Sequence, residues 1–153
     1  MKFNLLTLKR GLLFFWSLWL TIVLLTNVTD LLKQAGVLGA DWSLASGNYG
    51  FMQATTAIHH LPDALVLILF LGVIVWEALA TLLLWRAFAA FRGAAAGGLD
   101  AVYSAFAVSL ALWAALMIAD EILIAYSVEG THMSILVAQI ATLLLIRLLP
   151  EDA

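Results

Sequence analysis

Four long apolar runs organise the chain, and three of them carry no charge at all. They lie at Gly11 to Thr29, Leu65 to Trp85, Ala101 to Ala119 and Met133 to Ile146; the second holds one carboxylate, Glu77, near its middle. A helix of about 20 mostly apolar residues crosses the hydrocarbon core of a bilayer. The runs therefore predict four transmembrane helices, at about 11–30, 63–90, 101–128 and 133–149. The expected fold is all-α: a polytopic bundle of four transmembrane helices forming a single domain over residues 1–153.

The polar breaks differ in kind. Residues 31–62 make one long connection between helices 1 and 2, with Gly36, Gly39, Gly47 and Gly50 among Trp42, Tyr49 and Phe51. A loop of this length is usually functional or partly helical, and residues 50–60 predict a short helix lying at the membrane interface. Pro62 and Asp63 suit the first turn of the second span. A small-residue link (92–100) and a brief polar one (127–132) join the remaining spans. Pro150 closes the last helix before an acidic Glu151-Asp152 tail. The N-terminus reads as a retained signal anchor, because the run after Arg10 is longer than a signal-peptide core and lacks a small-x-small cleavage site.

Composition agrees. The chain is 65% hydrophobic and 11% charged, with mean hydropathy +1.07, against about 25% charged for soluble domains. There is no cysteine, which excludes disulfides, thiolate metal sites and a Cys nucleophile. A net charge of −3 without a basic stripe argues against nucleic-acid binding.

The few charges predict an orientation. Lys2, Lys9 and Arg10 precede the first span, Arg86 and Arg92 lie at the second-to-third junction, and Arg147 is near the end of the fourth. The opposite side has only Lys33 among Asp30, Asp41, Asp63 and Glu129. By the positive-inside rule both termini are cytoplasmic and the long loop faces outward. In that frame Asn27 and Asp30 close the first span at its outer end. Asp120 and Glu121 lie roughly two turns inside the outer surface, with Gln139 at similar depth. His59, His60 and His132 sit at the outer rim, and Glu77 is deepest.

The same residues carry a resemblance. Thr26-Asn27-Val28-Thr29-Asp30, a loop ending in Ile58-His59-His60, Trp76-Glu77 within the second span, Asp120-Glu121 late in the third and a C-terminal LLPED (148–152) resemble a bacterial family of predicted small integral membrane proteins. In the family's pattern, a Gly precedes and a Trp follows the third-span glutamate, where this chain has Asp120 and Ile122. The resemblance implies four transmembrane helices and a domain of unknown function, with no activity attached.

Candidate chemistry is sparse. An ionisable side chain at mid-bilayer depth costs roughly +2.5 to +3.5 kcal/mol on insertion scales, so Glu77 must be paired, protonated or used. It is expected to pin helix packing or dock a neighbouring subunit. Asp120 and Glu121 point about 100° apart on a helix and cannot share one small site. His59, His60 and His132 are weak candidates for a metal or haem ligand set, and no metal is expected. No cofactor is predicted, while haem, quinone or lipid contact is left open. The six tryptophans are expected mostly in the aromatic belt or facing lipid. No complete catalytic motif is present, so the chain is not expected to be an enzyme. The expected function is a small accessory subunit of a larger bacterial inner-membrane complex, a respiratory or other electron-transfer assembly. Its partners would be membrane lipids and larger integral subunits. The alternative is an independent transporter or channel with a proton or cation path through Glu77 and Asp120 or Glu121.

Overall fold

The computed structural model describes residues 4–92 and 98–150. Lys2, most of the small-residue link and the Glu151-Asp152 tail lie outside the described residues. Among the described residues there are five α-helices: α1 (Leu5–Gln34), α2 (Asn48–Thr56), α3 (Asp63–Ala90), α4 (Leu99–Ile122) and α5 (Tyr126–Leu148). All but α2 are long and apolar enough to cross a membrane. A 3-10 turn, Ala57–His59, follows α2, and no strand occurs among the described residues.

Each helix end has a local cause. Asn4 caps α1, its side-chain oxygen accepting from the Leu6 amide at 2.8 Å. The helix thus starts before Lys9 and Arg10, six residues ahead of the apolar run. At its other end Gly36 takes φ +71°. Val37 N–H donates to Leu32 C=O and Gly36 N–H to Lys33 C=O, closing a Schellman turn. Pro62 and Asp63 start α3 as expected.

The third and fourth spans depart most from expectation. α4 stops at Ile122 rather than near 128, and α5 begins at Tyr126 rather than 133. A second Schellman turn makes this sharp corner: Ala125 N–H donates to Asp120 C=O at 2.8 Å, and Ile124 occupies the left-handed region at φ +56°. That position favours glycine, so a β-branched residue there hid the turn from sequence. The residues expected as the link, 127–132 with Gly130, lie inside α5.

The start of α1 meets the ends of α3 and α5. Lys9 Nζ donates to Leu149 C=O and Arg10 Nη1 to Phe91 C=O, each at 2.8 Å. Cations at helix C-termini are favoured by the helix dipole. These contacts define a basic end of the bundle; the connection bearing α2 lies at the other, loop end. α1 packs on α3, α3 on α4 and α4 on α5, whereas α1 and α5 touch only lightly. The main core fills the middle and the basic half, with Leu13, Leu20, Leu84, Phe91, Val102, Phe106 and Ile146 all buried.

Two of the six tryptophans depart from the expected belt or lipid-facing positions. Trp16 and Trp113 are buried. Trp16 donates to Thr142 Oγ1, Trp85 to Thr21 Oγ1 and Trp76 to Val108 C=O, at 3.0–3.1 Å. Each bond links two helices. Inside hydrocarbon an indole N–H must find an acceptor in the protein, and three of the six do so across a helix interface.

Candidate functional site: a polar cavity at the loop end

The site begins with the last turns of α1. Four residues of the Thr26–Asp30 stretch hold the loop in place. Thr26 C=O accepts from Ser46 N–H at 3.1 Å. Thr29 Oγ1 donates to Leu44 C=O. Asp30, buried, accepts from Ser46 Oγ at 3.2 Å and from Tyr49 N–H at 2.8 Å. Tyr49 is in the first turn of α2, so Asp30 supplies from another helix the carboxylate that an N-terminus favours. Tyr49 then packs its ring on Phe70 of α3, with centroids 5.4 Å apart. The expected interfacial helix is thus docked on α1 and α3.

Asn27 joins this loop to the intramembrane glutamate. Its Oδ1 accepts from Asn48 Nδ2 at 2.8 Å, and its Nδ2 donates to Glu77 Oε1 at 2.7 Å. Asn27 and Glu77 are each 2% exposed. Trp76 and Glu77, adjacent in sequence, point to different neighbours about 100° apart: Trp76 to α4 and Glu77 to α1. The second carboxylate oxygen, Glu77 Oε2, has no hydrogen-bond partner among the described residues.

Glu77 lines a cavity of about 310 Å³. Asn48, Phe51 and Met52 of α2, Phe70 and Val73 of α3, Trp113, Leu116 and Asp120 of α4, His132 and Ile135 of α5 and Trp19 of α1 also line it. The same wall holds a pair: His132 Nδ1 lies 2.6 Å from Asp120 Oδ2. Trp113 stacks obliquely on the His132 ring at 5.7 Å. Its own Nε1, buried, has no partner. The space is mostly apolar and aromatic, with a few convergent polar groups, which is the usual make-up of a small-molecule site. Its titratable lining is Glu77, Asp120 and His132, with no Lys or Arg.

The expected polar set thus divides. Asn27, Glu77 and Asp120 come together around the cavity, and Asp30 supports them through α2. Glu121 is exposed on the outer face, as its rotation from Asp120 requires. Both acids occupy the last turn of α4 rather than a position two turns deeper, because the helix stops at Ile122. Gln139 is not at their level: it sits about 20 Å along α5 from Tyr126. There it is fully buried with both amide atoms unpartnered. His132 is not at the rim but faces the cavity, since α5 begins earlier than expected. His59 contacts Ile122 C=O at 2.9 Å and His60 is exposed, so the three histidines do not converge. Among the described residues no three His, Asp or Glu side chains are grouped to hold a metal ion.

Trp113, Trp19 and Asn48 were not singled out as site residues from sequence. The spacing of Trp113 and Asp120, two turns apart on one helix face, was the signal available. Comparison with known proteins adds nothing to this geometry: no family model, no curated protein and no solved structure matches the chain.

Proposed function

We propose that the protein is a small, non-catalytic membrane component that binds a small molecule in the loop-end cavity. One observation carries the reading: Glu77 and Trp113 line one cavity, and each keeps a buried polar atom, Oε2 and Nε1, without a partner among the described residues. A buried polar group without a partner costs about 1–3 kcal/mol, and a bound molecule that meets both recovers that cost. The basic residues at the opposite end, Lys9, Arg10, Arg92 and Arg147, support an orientation with both termini cytoplasmic and the cavity in the outer half of a bacterial inner membrane.

The accessory-subunit reading ranks second. Long exposed apolar faces favour it, with Ile68, Val75 and Leu82 on α3 and Val137, Leu144 and Leu148 on α5; lipid covers such faces equally well. A transport path through Glu77 and Asp120 has less support, because Leu13, Leu84, Val102 and Phe106 toward the basic end are fully buried in the core.

Native mass spectrometry of the detergent-purified protein tests the binding reading. A non-covalent adduct is expected on the wild type and is expected to be lost in Val73→Trp, which fills the cavity. An adduct retained unchanged in that folded variant, or a wild type that neither carries nor takes up any small molecule, sinks it. Stoichiometric recovery of large membrane subunits in a mild-detergent pulldown would favour the second reading.

A further inference from the structure

A second space adjoins the cavity. A groove of about 380 Å³ runs along the seam between α1 and α5. Trp19, Thr131 and Ile135 line both spaces, so the two adjoin across these three side chains. The seam is open because α1 and α5 touch only lightly. On the α5 side its wall is Gly130, Ser134 and Ala138, spaced by four and so on one helix face. Those three positions cover about 12 Å along the axis.

We propose that these adjoining spaces join, by movement of the side chains between them, to take a single-chain amphiphile with an uncharged, hydroxyl-bearing head. The head sits between Glu77 and Trp113, the tail lies in the α1–α5 groove, and the molecule enters sideways from the bilayer. The proposal rests on the binding reading above and adds the ligand's chemistry and route. The head follows from the two orphans. An indole N–H can only donate, so the head must accept from Trp113. An ionised Glu77 needs a donor and a protonated one an acceptor; a hydroxyl serves either state. An ammonium head cannot accept from Trp113. A carboxylate or phosphate head would face Glu77 and Asp120 in a wall that has no Lys or Arg. The tail follows from the groove: its small floor residues and aromatic side leave an apolar trough that begins where the head site ends.

The test uses the whole protein in detergent and the quenching of its tryptophans by brominated probes. Dodecanoylglycerol carrying bromine on the tail is expected to quench saturably, and bromobutyrylglycerol, with the same head and a short tail, more weakly. Ser134→Phe, at an exposed groove position, is expected to weaken the long probe by about tenfold, roughly 1.4 kcal/mol, and to leave the short probe unchanged. Ala138→Leu narrows the same trough with a smaller change and is expected to act in the same direction. A brominated farnesol binding more tightly than the glycerol ester assigns an isoprenoid tail, and the reverse a straight acyl chain; either supports the proposal. It is overturned if both groove variants leave the long probe unaffected, or if a carboxylate head on the same tail binds as tightly as the hydroxyl. Should the short probe still bind in that case, the cavity reading survives alone. Should neither probe bind, both fall.

Discussion

The two halves of the bundle solve the same problem in opposite ways. Toward the basic end, Leu13, Leu84, Val102, Phe106 and Ile146 interdigitate with essentially no exposed surface. Lys9 and Arg10 hold the C-terminal carbonyls of α5 and α3 there. The buried Thr81, Ser109 and Gln139, on the basic side of Glu77 and Trp113, also keep side-chain atoms without partners among the described residues, so the halves differ in packing rather than in polar satisfaction. Toward the loop end the helices stand around a hollow. Its polar groups face inward, and two of them lack partners. A protein built only to be stable would fill that hollow, since interiors approach crystal packing density. The contrast marks the basic half as the frame and the loop half as the part that works.

Equal-sized deletions in the two halves give the largest test of that contrast. Leu84→Ala empties a site with no slack and is expected to cost roughly 2–5 kcal/mol. Leu116→Ala only enlarges an existing cavity and is expected to cost far less, about the transfer term of the lost atoms. Thermal melts in the same detergent compare them, and equal losses would mean the loop half is packed as tightly as the basic half. Next in size is Asn27→Leu. It strips Glu77 Oε1 and Asn48 Nδ2 of their shared partner and is expected to cost about 2 kcal/mol, mostly from the one buried group, Glu77 Oε1, left unsatisfied, since Asn48 is exposed to other partners. Limited proteolysis would show the 37–48 segment cut faster, and an unchanged digestion pattern would deny that Asn27 couples the loop to α3.

Asp30→Ala removes the carboxylate beneath α2 and is expected to lower stability by about 1–2 kcal/mol, in the range of a lost helix cap. The damage should stay local: hydrogen exchange is expected to rise in 44–56 while the basic half keeps its protection. Smallest, and opposite in sign, is Ile124→Gly. A non-glycine residue in the left-handed region costs of order 1–3 kcal/mol. Glycine removes that strain and adds unfolded-state entropy, so a net gain of about 1 kcal/mol is expected. A loss instead would show that the exposed Ile124 side chain has a partner outside the chain.

Several features were legible before any tertiary information. Four apolar runs of spanning length become four long helices, because hydrophobic length alone decides what can cross a bilayer. The divergence of Asp120 and Glu121 followed from helix rotation, and one is buried and the other exposed. Boundaries were less legible. Charges at Lys9, Arg10 and Lys33 suggested helix ends, but the helix continues through them until Asn4 and Gly36 cap it. At the corner between α4 and α5 the usual glycine signal is absent, because Ile124 takes the strained position. Gly130 offered a false signal six residues on. That shift moved Asp120 to a helix terminus and His132 into the cavity.

Sequence by itself determined the helix count, the apolar faces and the presence of a carboxylate at depth, since these depend on local composition and period. Tertiary structure decided what the carboxylate meets. Partners such as Asn27 with Glu77, Asp120 with His132 and Trp16 with Thr142 depend on the rotation and tilt of each helix against its neighbours, and no residue spacing along one chain encodes them. The hollow itself is of this kind: it exists because α1 and α5 fail to close, a property of four helices together and of none alone.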